Sequence, residues 1–265
     1  MKQKIINRGV KGLGLILFAL SVFGLVSATE SESSGKVEKV LVDIKPLEGE
    51  VWLVGNEDVA KLLYKNYKSK LKNQSIVNLD LIQIEKVIEK SEFVKDAQVY
   101  IDARNNLKIR IEQKTPILRV FLPNQTSFFI TDQGGKISVP QKSSLRLPVL
   151  TGYLPEYSKK AIRDSSNIYF KAYHIMLAAR NNPFINGLTE QLIADEKKDI
   201  SIIPNLGNHK IILGDAQDIE NKFTRLEIFY KKAMPSEGWN LYKEINLKFK
   251  DQVIAKKAEQ IPIKS

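Results

Sequence analysis

The stretch Val10–Thr29, VKGLGLILFALSVFGLVSAT, constrains this chain more than any other. No charged residue occurs from Gly12 to Thr29, and Lys2, Lys4, Arg8 and Lys11 precede it without an acid among them. An apolar run of about 18 residues is just long enough to span a bilayer as a helix. The basic flank favours the cytoplasmic side, so the expectation is a short cytoplasmic segment (1–11), a transmembrane helix (12–29) and everything later across the membrane. A cleaved secretory signal is the rival reading, with an apolar region Leu13–Val26 and small residues at Val26-Ser27-Ala28. The residues leave both readings open, and both export the remainder.

Of the 265 residues, 236 follow Thr29, enough for one large domain or two small ones. A hydrophobic content of 43% and a charged content of 27% describe an ordinary globular body. There is no cysteine, so an exported body of this size folds without disulfides. The formal net charge is +11, of which the N-terminal flank supplies four, leaving +7 beyond it. Such a surface suits anionic lipid, an anionic cell wall or an acidic partner. Lys and Arg alternate with Asp and Glu, as in DARNNLKIRIEQK, rather than forming a stripe, which argues against nucleic acid.

Residues 30–36 read as a polar linker. Val37–Ile44 has the branched residues of a strand, and Val51–Val54 reads as a second, short one. Asn56 is the expected N-cap of a helix with Glu57 and Asp58 in its first turn and Val59, Leu62, Leu63 and Tyr67 at helical spacing. Leu79–Lys90 repeats the helical pattern with Leu81, Ile84, Val87 and Ile88, and Asp80 lies near its start. The period then changes. Val94–Asp102 and Leu107–Gln113 alternate around Arg104-Asn105-Asn106, predicting a hairpin that turns Ala97, Val99, Ile101, Leu107, Ile109 and Ile111 inward. Strand, helix, helix, strand, strand makes a two-layer α+β domain over 37–113, with both helices on one face of the sheet.

A second unit, 114–257, opens at Thr115-Pro116. Ile117–Phe121 and Leu147–Thr151 read as extended. Ser127–Thr131 and Lys136–Val139 flank the turn Asp132-Gln133-Gly134-Gly135. Ser158–Arg180 reads as one long helix with Ile162, Tyr169, Tyr173 and Met176 on a face, stopped by Asn182-Pro183. Strands follow at Thr189–Asp195, Asp199–Ile203 and His209–Leu213, then a helix over Asp218–Lys232 with Ile219, Phe223, Leu226 and Tyr230 on one stripe. Tyr242–Phe249 and its continuation Asp251–Ala255 make the last strand. The basic end from Lys256, including the tail 258–265, is expected to fray.

No catalytic constellation emerges. His174 falls inside a helix and His209 starts a strand. Without Cys they build no Cys/His zinc site, and no nucleophile-elbow pattern accompanies them. Gly134-Gly135 lacks the Lys-Ser/Thr of a phosphate loop. Asp195-Glu196 and Glu57-Asp58 read as a solvated turn and a helix N-terminus. Asn73-Gln74-Ser75 and Asn124-Gln125-Thr126 fit a glycosylation sequon that recurs by chance. The expectation is a non-enzymatic interaction protein with no cofactor, no metal, no nucleic acid and no small-molecule substrate. The last strand lies where nothing later need pair with it, so it is a candidate sheet edge for strand addition. Its lysines 248, 250, 256 and 257 either discourage aggregation or also attract an acidic partner.

The stretches FVKDAQVYID, LKIRIEQKTPILRVF, ITDQGGKISVP, LRLPVLTG, NPF, DISIIPNLGNHKIILGD, KFTRLEIFY and GWNLYKEINLKFKDQV are specific in their order and spacing. Together they resemble the FtsQ/DivIB family of bacterial division proteins, in the form found in Bacteroidetes-like bacteria. The resemblance implies that the N-terminal helix stays as an anchor, that 37–113 is a POTRA domain (β-α-α-β-β), and that 114–257 is the family's mixed α/β "β domain", ending in an exposed edge strand. It implies a single-pass inner-membrane protein with a periplasmic bulk, enriched at the division septum. Such a protein binds FtsB/FtsL-like bitopic coiled-coil partners, belongs to the divisome and helps regulate septal peptidoglycan synthesis. Carried over by position, the strand-addition surface is Lys248, Phe249, Lys250, Asp251, Gln252, Val253, Ile254, Ala255 and Lys256. The aromatic and small residues found beyond this strand in proteobacterial members are not recognisable in QVIAKKAEQ. Two other readings remain: an exported hydrolase with a cleaved signal, and, since POTRA domains also serve there, a POTRA-containing outer-membrane assembly factor. Against the latter, the chain lacks a C-terminal barrel pattern.

Overall fold

A computed structural model describes residues 35–67, 71–140 and 145–258. The expected membrane segment 12–29, the flank before it and all of the tail after Ala258 lie outside the described residues. Among the described residues no helix is long and apolar enough to cross a membrane. The chain divides into two compact units. One runs through Pro46 and resumes over Val54–Gln113; the other takes Leu47–Leu53 and Lys114 onward.

The first unit contains β1 (Val40–Lys45), α1 (Asn56–Tyr67), α2 (Leu81–Glu89), β2 (Val94–Ile101) and β3 (Leu107–Gln113). The sheet order is β1-β3-β2, with β1 parallel and β2 antiparallel to the central β3. Register explains the division of faces. Val42, Ile109 and Val99 form one cross-strand row, and Ile44, Ile111 and Ala97 form the next. These residues pack in one core with Val59 and Leu63 of α1 and Ile84, Val87 and Ile88 of α2. The alternate rows are polar: Asp43, Arg110 and Gln98, then Lys45, Glu112 and Asp96. Side chains alternate across a strand, so a sheet with helices on one face needs this pattern.

The helix starts are set locally. Asp80 caps α2, its carboxylate accepting from Gln83 N at 2.9 Å. For α1 the cap is Gly55 rather than Asn56. The Gly55 carbonyl accepts from the amides of Asp58 and Val59, and Gly55 N donates to Asp58 Oδ2 at 3.0 Å. Asn56 is thus already helical. The expected strand at Val51–Val54 is reduced to a single bridge between Leu47 and Val51. In the β2–β3 turn, Asn105 takes φ 60° and the Asp102 carboxylate accepts from the amides of Arg104 and Asn106, each at 2.9 Å.

The second unit is a nine-stranded sheet in the order β12-β11-β10-β9-β8-β7-β4-β5-β6. Its strands are β4 (Pro116–Phe121), β5 (Ser127–Thr131), β6 (Lys136–Ser138), β7 (Val149–Gly152), β8 (Thr189–Ala194), β9 (Ile200–Pro204), β10 (Lys210–Gly214), β11 (Tyr242–Asn246) and β12 (Ile254–Lys257). Parallel pairs join β4 to β7, β7 to β8 and β10 to β11. One row of registered partners crosses eight of the strands: Phe128, Val120, Leu150, Leu192, Ile202, Ile211, Ile245 and Ala255. This row packs with α3 (Ile168–Arg180), α4 (Pro183–Leu188) and α5 (Ile219–Lys232) through Tyr169, Ile175, Ile185, Phe223 and Leu226. A further short helix, α6 (Met234–Glu237), follows α5.

The second unit departs from expectation at several points and extends it at one. The helix expected over Ser158–Arg180 begins at Ile168. Residues 158–167 form turns, because Asp164 Oδ1 accepts from the amide and hydroxyl of Ser166 and the Asn167 side chain accepts from Tyr169 N. Such short polar side chains offer the backbone partners that compete with helix. Asn182-Pro183 ends α3 and also starts α4: Asn182 Oδ1 accepts from Phe184 N and Ile185 N, and proline occupies the first turn. The final strand is broken. β11 stops at Asn246, the chain reverses over 247–253 with Asp251 at φ 57°, and β12 returns antiparallel to β11. Of the end expected to fray from Lys256, the described part is held: Lys256 and Lys257 lie in β12, and Ala258 N donates to Leu241 O at 2.8 Å.

Candidate functional site

β12 is the last strand of its sheet, paired on one side with β11. Among the described residues no strand pairs on its other side. An edge of this kind presents every second N–H and C=O away from its neighbour. The nine sequence-predicted residues divide between two elements. Ile254, Ala255 and Lys256 lie on β12, whereas Lys248, Phe249, Lys250, Asp251, Gln252 and Val253 form the reversal that leads into it. Ala255 faces the core row and Val253 packs against the same cluster. Ile254 and Phe249 are about half exposed, at 46% and 52%. Lys250, Gln252 and Lys256 are exposed. The structure therefore brings together a short open edge, two exposed apolar side chains and several cations.

The reversal is fastened to α5 by one side chain. Arg225 Nη1 donates to Phe249 O at 2.8 Å and to Gln252 O, and Nη2 donates to Leu247 O at 3.3 Å. Arg225 Nε donates to Asn221 Oδ1, one helical turn back, at 3.2 Å. A planar guanidinium with five N–H groups suits this convergent set of acceptors better than any other side chain. Lys248 supplies a second attachment. Its amine pairs with the Asp199 carboxylate, and that hydrogen bond holds the lysine pKa above its ordinary value. Its aliphatic stem lies over Gly214, where an added Cβ would stand 3.0 Å from Lys248 Cγ. Gly214 also takes φ +76°, so glycine there meets both demands.

The position of α5 is fixed in turn by a buried cation. Lys222, 6% exposed, donates to Asp215 Oδ1 at 2.9 Å and to Asp215 O at 3.0 Å. Near the other end of α5, Tyr230 Oη meets His209 Nε2 inside the core. Burial pushes the His209 pKa down, against the backbone of Trp239, which raises it, and burial pushes the Tyr230 pKa up.

The histidines do not combine into a reactive site. His174 lies against Phe170 at a tilt and meets Tyr173 edge-on, with ring centroids 4.1 Å and 5.2 Å away. It lines an open cleft of about 570 Å³ with Lys171, Ser166 and Asp215, a cleft to which His209 does not contribute. Among the described residues no group of three or more His, Asp or Glu side chains could hold a metal ion. Gly134 occupies a hairpin turn at φ +74°, close to Ile162 and Tyr173. Asp195 closes the β8–β9 turn by accepting from Lys197 N and Asp199 N.

Sequence reasoning missed Arg225. It reads as an ordinary helix-surface cation, and its acceptors are backbone carbonyls far along the chain.

Comparison with known families settles what kind of molecule carries this edge. The profile described as FtsQ/DivIB, C-terminal related, matches residues 115–256, more than half of the chain. The chain belongs to the FtsQ/DivIB family. A second profile, that of a POTRA-like domain, matches residues 37–112. A POTRA-like unit followed by a mixed α/β unit is the arrangement seen here. The FtsQ/DivIB match ends at Lys256, so it takes in the reversal and most of β12. No curated protein matches the chain.

Proposed function

We propose that this chain is a non-enzymatic scaffold of the bacterial division machinery. Residues 12–29 hold it in the inner membrane, and β12 receives a strand from a small single-span coiled-coil protein of the FtsB or FtsL kind. The observation that carries the reading is the place of Ile254–Lys257 at the end of the nine-stranded sheet in a member of a division family. Backbone groups of an open edge give affinity in strand addition, while side-chain pockets give selectivity. The reversal and edge carry Lys250 and Lys256, which favour an acidic segment in the partner. Bulk on the periplasmic side, enrichment at the septum and an influence on septal peptidoglycan synthesis belong to the same reading.

The test is a pull-down from detergent-solubilised membranes with the tagged full chain, beside a form ending at Gln252 and the point variant Ala255→Pro. Proline removes an N–H and disfavours a paired strand. Small single-span coiled-coil proteins should come down with the full chain and fall away with both variants, circular dichroism showing each variant folded. Equal recovery with folded variants places the partner surface elsewhere and overturns the edge reading.

A further inference from the structure

We infer that Arg225 is the positioning residue of the edge strand: through three carbonyls of the 247–252 reversal, its guanidinium fixes where β12 stands. The inference rests on the reading of β12 as the partner-binding edge, and adds what presents that edge. The geometry argues for it in three ways. First, the pairing between β11 and β12 is short, four registered pairs from Tyr242–Lys257 to Asn246–Ile254, with an irregularity between Tyr242 and Glu244. So short a ladder at a sheet end specifies its own position weakly. Second, the link from β11 to β12 runs over 247–253 with Asp251 in the left-handed region, so it is a wide reversal and not a tight two-residue turn. A wide loop does not impose register by itself.

Third, beside the Lys248–Asp199 pair, one side chain holds the reversal at several points. The acceptors Leu247 O, Phe249 O and Gln252 O span the reversal from its first residue almost to the start of β12. They converge on Arg225, which Asn221 orients along α5. α5 is in turn seated in the core by Phe223 and Leu226. The edge therefore takes its position from a helix on the covered face of the sheet, through an arginine that need not touch the partner. A lysine keeps the charge but has no planar fork to reach three carbonyls.

The experiment uses the full chain and the variants Arg225→Gln and Arg225→Lys. Amide hydrogen exchange is followed separately over 253–257 and over β10 as an internal control, with partner recovery measured in the membrane pull-down. Hydrogen bonds from a charged donor are strong enough that their loss should speed exchange at 253–257 by about tenfold or more in both variants. β10 should stay as protected as in the parent chain, and partner recovery should fall. Unchanged exchange at 253–257 overturns the inference, whatever the partner does. Equal loss of protection over β10 also overturns it, because Arg225 would then hold the whole unit together. Loosened 253–257 with undiminished partner recovery supports the positioning role and overturns the edge reading instead, so the two failures are distinct.

Discussion

His209 Nε2 and the Tyr230 hydroxyl are hydrogen-bonded to each other where both side chains are only 2% exposed. The pair joins the residue before β10 to the last turn of α5, beside the rings of Phe184 and Trp239. Burial holds the His209 pKa below its ordinary 6.5. Below that pH the unfolded chain binds more protons than the folded one, so stability should decline as pH falls from 6.5 toward the folded value. Urea midpoints at pH 8, 6 and 5 should show this decline, and His209→Gln should flatten it. Tyr230→Phe leaves a buried imidazole nitrogen without its partner and should cost about 1–3 kcal/mol at pH 8.

Tyr169 gives a prediction at the alkaline end. Its hydroxyl donates to Pro155 O at 2.6 Å, and burial, with Tyr157 nearby, pushes its pKa up to about 12. The folded phenol keeps its proton where the unfolded one, near 10, has lost it. Stability should therefore fall as pH rises from 10 toward 12. Tyr169→Phe should weaken that slope and cost about 1 kcal/mol at neutral pH, read by thermal melts.

Asp102 gives one at the acid end, in the other unit. Hydrogen bonds from the Asn106 side chain and amide hold its carboxyl at about 2, below the ordinary 3.8. Its contribution should be complete above pH 3.8 and vanish as pH falls through about 2. Asp102→Ala should lower the melting temperature of the POTRA-like unit at pH 7, and the difference from the parent should close near pH 2.

Leu192 sits mid-row in the large sheet, flanked by Leu150 and Ile202, and is fully buried. Leu192→Ala should cost about 2–5 kcal/mol, because the residue is held on both sides and the cavity cannot collapse. A urea titration checks this; a loss under about 1 kcal/mol would show that the row is not the packing centre.

Much of this architecture is legible in the residues because the apolar period follows the burial. LKIRIEQ alternates, and Leu107, Ile109 and Ile111 are indeed buried while Arg110 is exposed. Asp80 before Leu81 announces a helix, and it caps one. Periodicity misleads where local side-chain bonds compete. Ile162 is in phase with Tyr169, yet Asp164, Ser166 and Asn167 bind the backbone into turns. The pattern INLKF continues across the 247–253 reversal without a proline or glycine to mark it, so the end of β11 is hidden. Arg225 is hidden more deeply. Its acceptors are backbone carbonyls 22 to 27 residues away, and main-chain oxygens carry no sequence signature.

Site-directed photo-crosslinking in living cells tests the central claim most directly. A photoreactive residue replaces Ile254 or Lys256 on β12, or Tyr64 on α1 as an exposed control in the other unit. The account predicts an adduct with a small single-span coiled-coil protein from positions 254 and 256, absent from position 64 and reduced when Arg225→Gln is added. An adduct from position 64 alone, with none from β12, would contradict it.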